Sequence, residues 1–588
     1  MKRREFLSMT AALSAAAYAA EAVAQTTAGE QATSAVHDLV LKNGRILDGA
    51  GNPWFKADIG LKDGRINKIG RVDEAEADRI IDVEGLFVSP GFIDIHSHSD
   101  TSMFIDPWLE SKIRQGITTE VNGNCGGSPV PRRARARRGV PEEDTNWPTM
   151  AEYFDRLEQR GIALNMATLI GHGTVRRYVM EGNHGAPTQK QLDEMKQLVR
   201  TAMQDGAVGL STGLAYSPGT YAHTDEVVEL AKVVAEHGGI YATHLRDFSS
   251  KVLGWSGEEG SVYQAVDEAL EIGRRSGVRV VQISHLSSNA PYSGDPGLDE
   301  KVRDLIYDAR NDGLDVLVDI LPSDWGSVAP WPGRSVFSPA YFADGRENLL
   351  ERLRDPKQRA VLKEELLTKS PAEMGFENTT ARLLLIRTGK GDGVWIFPPL
   401  NGHFKNPEYE RKTLDVIAEM KGVDLLDALF DVLVEENGEL SIANRIMEDR
   451  NSQLRWSIAM PSTDGGSAAK PGEDTQRVRP SAFSGFSDAL VWVREKKLVP
   501  IEDMIRKMTS LPAHTLRLQD RGLIKEGFRA DITVFDLENV RSLCTYENDA
   551  RAAYPVGIPY VIVNGVPVID DDQLTEALPG NVLRHASA

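Results

Sequence analysis

Two histidines separated by one residue, His96 and His98, follow the short apolar run from Phe92 to Ile95. This run predicts a strand, and because side chains alternate between the faces of a strand, both imidazoles project to the same side. Two imidazoles at the end of a strand are able to bind one metal ion, although a hydrogen-bonded surface pair has the same spacing. Other residues of the chain distinguish between these two interpretations.

Other metal-ligating side chains follow further apolar runs. Cys125 lies in the glycine-rich sequence 123–127, His244 and His285 each come directly after an apolar run, and Asp464 follows the run 456–460. A cysteine in isolation is often a small buried hydrophobic residue. Imidazole, thiolate and carboxylate together form a ligand set that suits Zn2+, a borderline-soft ion. We therefore predict a zinc site made by His96, His98, Cys125, His244, His285 and Asp464.

A closed parallel barrel would bring these side chains together. Apolar runs of strand length alternate with amphipathic helical stretches such as 189–205, 225–237 and 262–276. This alternation predicts a (β/α)8 TIM barrel, in which functional residues lie at the C-terminal ends of the strands. An open doubly wound sheet is the alternative, but no glycine-rich phosphate loop follows the first strand. The predicted strands are residues 92–95, 117–122, 163–170, 207–211, 239–243, 278–284, 315–320 and 456–460.

The two ends of the chain predict a small β-sandwich domain. Short alternating runs in 36–88 are separated by Asn-Gly and Asp-Gly turns, and similar runs occur in 515–588. Neither half has enough strands to be stable alone, so we expect the halves to pair. The barrel then occupies 89–514, with a helical insertion at about 323–455 between strands 7 and 8. A shorter loop with five arginines, from Arg132 to Arg138, is either a solvated surface or a rim that attracts anions.

Composition excludes some partners. The formal net charge of -19 argues against binding to nucleic acid. No apolar run is long enough to make a permanent membrane span. With only Cys125 and Cys544 present, a disulfide framework is excluded, and a single bridge between these two cysteines is the remaining option.

The N-terminus has the features of an export signal. Arg3 and Arg4 precede a mild, alanine-rich apolar run, and Ala22 and Ala24 provide a small-residue cleavage site. The pattern resembles the twin-arginine class of bacterial signals, so we expect 1–24 to be a signal peptide recognised by the twin-arginine export machinery. The mature protein would then be periplasmic. An uncleaved amphipathic N-terminus is the alternative.

The segments around the predicted ligands resemble those of a known enzyme family. Residues 91–100, with the sequence Gly-Phe-Ile-Asp-Ile-His-Ser-His-Ser-Asp, resemble the opening motif of the amidohydrolase superfamily. Segments 116–126, 243–246, 283–285 and 462–465 resemble its N-acyl-D-amino-acid deacylase (D-aminoacylase) branch. In that branch a cysteine takes the place of the carbamylated lysine that bridges two metals in hydantoinases. The likeness continues through the segments 406–409 and 507–513.

This resemblance implies a role for each ligand. Cys125, His244 and His285 would hold one tight zinc ion, and His96, His98 and Asp464 would form a second, weaker site that Cys125 also reaches. Asp464 would be the general base that accepts a proton from the attacking water and delivers it to the departing amine. The implied reaction is hydrolysis of a linear amide bond in a small N-acyl substrate, an N-acyl-D-amino acid or a related compound.

The residues expected to bind the substrate are Tyr216, Ser287 and Arg479. Relatives in this branch carry a lysine where this chain has Ser287, a Tyr-Pro-Tyr sequence where it has 321–323, and a His-Pro pair at Arg479 and the next residue. A serine cannot replace the charge of a lysine. Either Arg479 or Arg246 therefore supplies the counter-charge, or the substrate lacks a free α-carboxylate at that place.

Two other functions stay open from the sequence. Hydantoinases and dihydroorotases open cyclic amides with the same fold, but Cys125 in place of a strand-end lysine argues against that reaction. An exported protein that binds metal without turnover is the other alternative. The retained Asp464 argues against it, because catalysis needs that carboxylate.

Overall fold

The computed structural model describes most of residues 36–585 of the 588-residue chain. The signal-like segment lies outside the described residues, as does the arginine-rich loop. Within 36–585 the description leaves out 132–146, 182, 184, 216, 247–261, 287–296, 324, 330–335, 338–340, 342–344, 370–382, 384–385, 388, 399–402, 411, 446–449, 467–469, 472–479 and 545–551.

The N-terminal part of the described chain forms five strands, with a tight hairpin between the second and the third. This hairpin turns at Asp63 and Gly64, which both have positive φ (49° and 73°), so the Asp-Gly turn expected there is confirmed. The strands are β1 (Leu39–Ile46), β2 (Phe55–Lys62), β3 (Arg65–Gly70), β4 (Ile80–Asp82) and β5 (Phe87–Pro90).

Seven of the eight barrel strands follow in chain order, and each hydrogen-bonded pair among them is parallel. The third barrel strand is interrupted and consists of two pieces, β8 and β9. The strands are β6 (Phe92–Asp94), β7 (Ile117–Asn122), β8 (Asn165–Thr168), β9 (Ile170–Gly171), β10 (Gly209–Gly213), β11 (Ile240–His244), β12 (Val280–Ile283) and β13 (Asp315–Ile320).

The insertion between the seventh and eighth barrel strands contains a sheet as well as helices. Four strands pair antiparallel in the order β14-β17-β15-β16. Buried residues such as Phe337, Leu429 and Phe430 give the insertion a hydrophobic core of its own. The sequence predicts only the helices of this insertion, because these strands are short. They are β14 (Trp325–Ala329), β15 (Val394–Phe397), β16 (Lys412–Thr413) and β17 (Ser441–Arg445).

The eighth barrel strand, β18 (Ala459–Pro461), pairs in parallel with β13. A parallel bridge between Ser97 and Gly465 then joins the last strand to the first and closes the ring. The predicted (β/α)8 barrel is confirmed.

The C-terminal part of the chain completes the small β domain. Its strand β19 pairs antiparallel with β5, so both chain ends join one nine-stranded sheet. Ile532 and Val534 face the core inside this domain, whereas Phe535 belongs to the core shared with the barrel. The predicted β domain built from both ends is confirmed. Its remaining strands are β19 (Ile532–Phe535), β20 (Tyr560–Val563), β21 (Val566–Asp570) and β22 (Gln573–Leu574).

Beyond β22, the C-terminal tail runs along the outer edge of β8. The Met166 N–H donates to the Asn581 carbonyl at 2.9 Å, and the Leu583 N–H donates to the Met166 carbonyl at 2.7 Å. Since β7 pairs with the other edge of β8, the tail supplies part of the barrel wall.

Helices surround the barrel and fill the insertion. Among the described helices, none has the combination of length and apolar character that crossing a membrane requires. The helices are α1 (Glu110–Ile113), α2 (Met150–Arg160), α3 (His172–Met180), α4 (Gln189–Gln204), α5 (Thr224–Glu236), α6 (Val262–Ser276), α7 (Leu298–Asn311), α8 (Arg346–Arg354), α9 (Pro356–Thr368), α10 (Leu414–Lys421), α11 (Leu425–Glu435), α12 (Ser481–Lys496), α13 (Ile501–Met508) and α14 (Ser510–Thr515).

Candidate metal centre

The six predicted ligands lie at or just beyond the C-terminal ends of barrel strands. His244 is the last residue of β11, and His285 comes two residues after β12. The others follow β6, β7 and β18 within a few residues. The barrel therefore brings together side chains that are up to 368 positions apart in the sequence, at the face where such barrels carry out chemistry.

Cys125, His244 and His285 form a first group. The Cys125 Sγ lies 3.6 Å from His244 Nδ1 and 3.4 Å from His285 Nε2, and the two nitrogens are 2.8 Å apart. His244 and His285 are partly accessible. One ligand atom from each of the three residues would hold a common cation, which a substrate would approach from the accessible side.

Asp464, His98, His96 and the same Cys125 form a second group. The Asp464 Oδ1 is 2.9 Å from His98 Nε2 and 3.4 Å from His96 Nε2, and the Cys125 Sγ is 3.3 Å from His96 Nε2. Asp464 and His96 are buried, whereas His98 is about one-third exposed. Cys125 belongs to both groups, so its thiolate would be a ligand in each of them.

Three of the six residues have a left-handed backbone. The φ angles are 52° for Cys125, 34° for His285 and 43° for Asp464. A non-glycine residue in this region is strained by about 1–3 kcal/mol, and such strain concentrates at functional sites. The loop after Cys125 also packs tightly, since a Cβ on Gly171 would come within 2.5 Å of the Gly126 carbonyl oxygen.

The charges of the centre favour a cation. Burial acts to raise the pKa of the Cys125 thiol, but His96 and His285 lower it well below its ordinary value, which favours a thiolate. Burial likewise opposes protonation of His98, yet the hydrogen bond to Asp464 raises its pKa to about 9. A soft-to-borderline metal cation fits this donor set of thiolate, imidazole and carboxylate.

The chain is similar to proteins of a known family. A model of the amidohydrolase family matches residues 79–311 and 473–569, and a model of the N-terminal domain of the urease alpha-subunit matches 16–91. The N-acyl-D-glutamate deacylase of Alcaligenes xylosoxydans xylosoxydans is 32% identical over 93% of this chain and 96% of its own length. The chain belongs to the amidohydrolase family.

Two further proteins are similar to this amidohydrolase over most of its length. The D-aminoacylase of the same organism is 31% identical over 95% of this chain and 100% of its own. The crystal structure of the N-acyl-D-glutamate deacylase from Bordetella bronchiseptica superimposes with a TM-score of 0.69, at 28% identity, over 93% of this chain and 99% of that one. That relative was solved with zinc and a phosphonate that mimics the tetrahedral intermediate.

Some predicted contacts of this amidohydrolase are corrected by the structure. Cys125 and Cys544 are both free cysteines, so the single bridge considered between them is excluded. Arg246 forms a bidentate ion pair with Glu268, at 2.9 and 2.8 Å, and also donates to two backbone carbonyls. This arrangement does not support Arg246 as the counter-charge for a substrate carboxylate. The three predicted substrate-binding residues, Tyr216, Ser287 and Arg479, lie outside the described residues.

One carboxylate behind the candidate ligands, that of Asp319, is not among the residues predicted from the sequence. Asp319, on β13, lies 3.2 Å from His96 Nδ1 and accepts hydrogen bonds from the His285 backbone N–H at 3.0 Å and from the Ser462 hydroxyl at 2.7 Å. Burial acts to raise the pKa of Asp319, but His96, His285 and Gln282 together lower it below its ordinary value. A carboxylate inside the apolar run 315–320 was the signal available in the sequence.

Proposed function

We propose that this amidohydrolase is a zinc-dependent deacylase of N-acyl-D-amino acids or related N-acyl compounds. The observation that carries the proposal is the Cys125 sulfur shared by two histidine-containing groups, with the Asp464 carboxylate at its side. The zinc in the Bordetella relative supports the choice of metal. We infer one tight ion in the group of Cys125, His244 and His285, and a second, weaker ion in the group that contains Asp464.

The residues of this chain have distinct tasks in such a reaction. Zinc, when bound, supplies an activated water and a Lewis acid for the amide carbonyl. Asp464 accepts the proton of the attacking water on its carboxylate and then donates it to the nitrogen of the departing amine. His98, which is 2.9 Å from the Asp464 Oδ1, holds that carboxylate in place. Asp319 would accept a hydrogen bond from the Nδ1–H of His96, which would leave the Nε2 of His96 available to hold the metal.

The names of the relatives support an N-acyl-D-amino acid as the substrate class. Two are deacylases of N-acyl-D-glutamate and N-acyl-D-aspartate, and a third is a D-aminoacylase. Ser287 provides no positive charge, so we infer a substrate other than a simple N-acetyl-D-amino acid. A panel of N-acyl D- and L-amino acids and uncharged amides tests this. Turnover of N-acetyl-D-methionine equal to or better than that of every bulkier or uncharged amide would contradict the inference.

Replacement of Asp464 by asparagine tests the function itself. The amide keeps the shape of the side chain but cannot accept the proton, so we expect kcat to fall about 10²–10⁴-fold. The first group should retain one equivalent of zinc, measured by elemental analysis. Unchanged activity would remove Asp464 from the mechanism.

Assays with other substrates test the two alternatives. Ring opening of dihydropyrimidines that exceeds turnover of every linear amide would favour a cyclic amidase. Zinc binding without turnover of any amide in the panel would favour a metal-binding protein.

We also infer that the protein is exported to the periplasm through the twin-arginine machinery. The support is the pair Arg3 and Arg4, followed by a mild apolar run and a small-residue cleavage site. The metal centre would then be assembled before export, because this route carries folded proteins.

A further inference from the structure

Lys112 has no part in the proposed chemistry, yet its side chain is fully buried beside the metal centre. On α1, its ammonium group donates to Asp94 Oδ2 at 2.7 Å, to Ser97 Oγ at 3.2 Å and to Thr463 Oγ1 at 2.5 Å. Burial of a charge is unfavourable unless every donor is paired, and an apolar side chain of the same size would avoid the penalty. We therefore expect the buried, paired charge of Lys112 to have a role beyond packing.

Asp94 extends this contact to two strand ends. Its Oδ1 accepts the Thr463 N–H at 3.1 Å and the His96 N–H at 3.3 Å. Its other oxygen accepts the Thr463 hydroxyl at 2.6 Å, beside Lys112. Lys112, Asp94 and Thr463, which we name the seam cluster, thus tie the first barrel strand to the eighth.

The barrel has few backbone hydrogen bonds at the seam, the junction between its first and eighth strands. Strands β12 and β13 form four residue pairs. Among the described residues, β6 and β18 are joined only beyond their ends, by a single bridge between Ser97 and Gly465. Backbone bonds from Asp464 N–H to the His96 carbonyl, at 3.0 Å, and from His98 N–H to the Gly465 carbonyl, at 3.3 Å, complete the junction. Side chains must therefore contribute to the alignment of the two strand ends.

Asp464 follows Thr463 directly and is the residue whose position this junction affects. Its backbone is left-handed, and its carboxylate must stay close to the imidazoles of both His98 and His96. A strained conformation persists only where the surroundings hold it, and the seam cluster fixes the residue immediately before it.

We propose that Lys112, acting through Asp94 and Thr463, is a positioning residue that holds the Asp464 carboxylate in its place in the metal centre. The inference rests on the proposed function in taking Asp464 as the acid–base group. The position of Asp464 can nevertheless be measured without turnover, because this carboxylate is also a ligand of the second metal group.

Thr463→Val and Lys112→Met test the proposal. Valine keeps the branched shape of threonine and removes the hydroxyl, so it is the milder change; Lys112→Met also leaves Asp94 and the nearby Glu120 without their cation. We expect kcat to fall about 10–100-fold with KM nearly unchanged. We expect the Kd of the second zinc to rise about 10–100-fold, the first zinc to be retained, and the visible bands of the cobalt-substituted protein to shift.

Arg521→Met is the matched control. It removes another buried cation, which pairs with Asp531 in the β domain away from the metal centre. This variant should lower Tm but leave the cobalt spectrum and the second Kd as in the wild type.

Wild-type spectra and a wild-type second Kd in Thr463→Val, or in Lys112→Met if it folds, would overturn the proposal, as would equal changes in Arg521→Met. If Lys112→Met does not fold, Thr463→Val alone decides. If the wild type hydrolyses no N-acyl substrate, the proposed function fails, while the spectrum and the Kd still decide the positioning role.

Discussion

Replacement of Asp319 by asparagine probes how one carboxylate supports both halves of the metal centre. The Asp319 Oδ1 contacts His96 Nδ1, the His285 backbone N–H and the Ser462 hydroxyl, and its Oδ2 accepts from Gln282 at 2.8 Å. His96 belongs to the second group and His285 to the first. The substitution removes the charge and keeps the shape.

The geometry allows an estimate of the effect. An amide oxygen at the Oδ1 position still accepts the three hydrogen bonds made there. The new amide nitrogen would face Gln282 and also the Nδ1 of His96, which lies 3.3 Å from the Asp319 Oδ2. The Oε1 of Gln282 has no hydrogen-bond partner among the described residues, so a flip of the Gln282 amide restores that contact. The loss is then the charge and one of the two acceptor oxygens that orient His96. Carboxylates behind metal-ligating histidines contribute about 10–100-fold to affinity, or about 1.4–2.7 kcal/mol.

We expect this loss to fall on the second group, because His285 keeps an acceptor for its backbone N–H. Calorimetric titration of metal-free protein with zinc measures both dissociation constants. Ser462→Ala is the control, since it removes a neutral donor to the same oxygen and keeps the charge; its effect should stay below about threefold. A second Kd unchanged in Asp319→Asn, or a loss confined to the first ion, would refute the reasoning.

Two further predictions concern pH and export. Burial lowers the pKa of Lys507 to about 8, so the unfolded state binds more protons between pH 8 and about pH 10.5, and stability should rise with pH there. Relative to Lys507→Met, the free energy of unfolding of the wild type should increase by roughly 2–3 kcal/mol over that interval, measured by urea denaturation; a flat difference would contradict this. Replacement of Arg3 and Arg4 by lysine should leave the uncleaved precursor in the cytoplasm on cell fractionation, and normal periplasmic recovery would exclude the proposed route.

The barrel could be predicted, and the residues that meet in the candidate metal centre could be named, because their signals are local. The His96–His98 spacing and the glycines around Cys125 identify two strand ends directly, and alternation of strands and helices supplies the ring that joins them. The supporting charges could not be predicted in the same way. Lys112 lies in the polar sequence 110–115, which is typical of a solvated helix, and only the closure of the barrel buries it. The sheet in the insertion was missed because strands of two to five residues carry little periodicity.

The tail that runs along the edge of β8 has a consequence for biosynthesis. Met166, in the third barrel strand, finds its backbone partners at Asn581 and Leu583, more than 400 positions later in the sequence. The wall of the catalytic barrel therefore cannot be completed until the chain has been synthesised beyond Leu583. Variants that lack residues 581–583 should accordingly yield less folded protein than variants altered on the surface of the insertion.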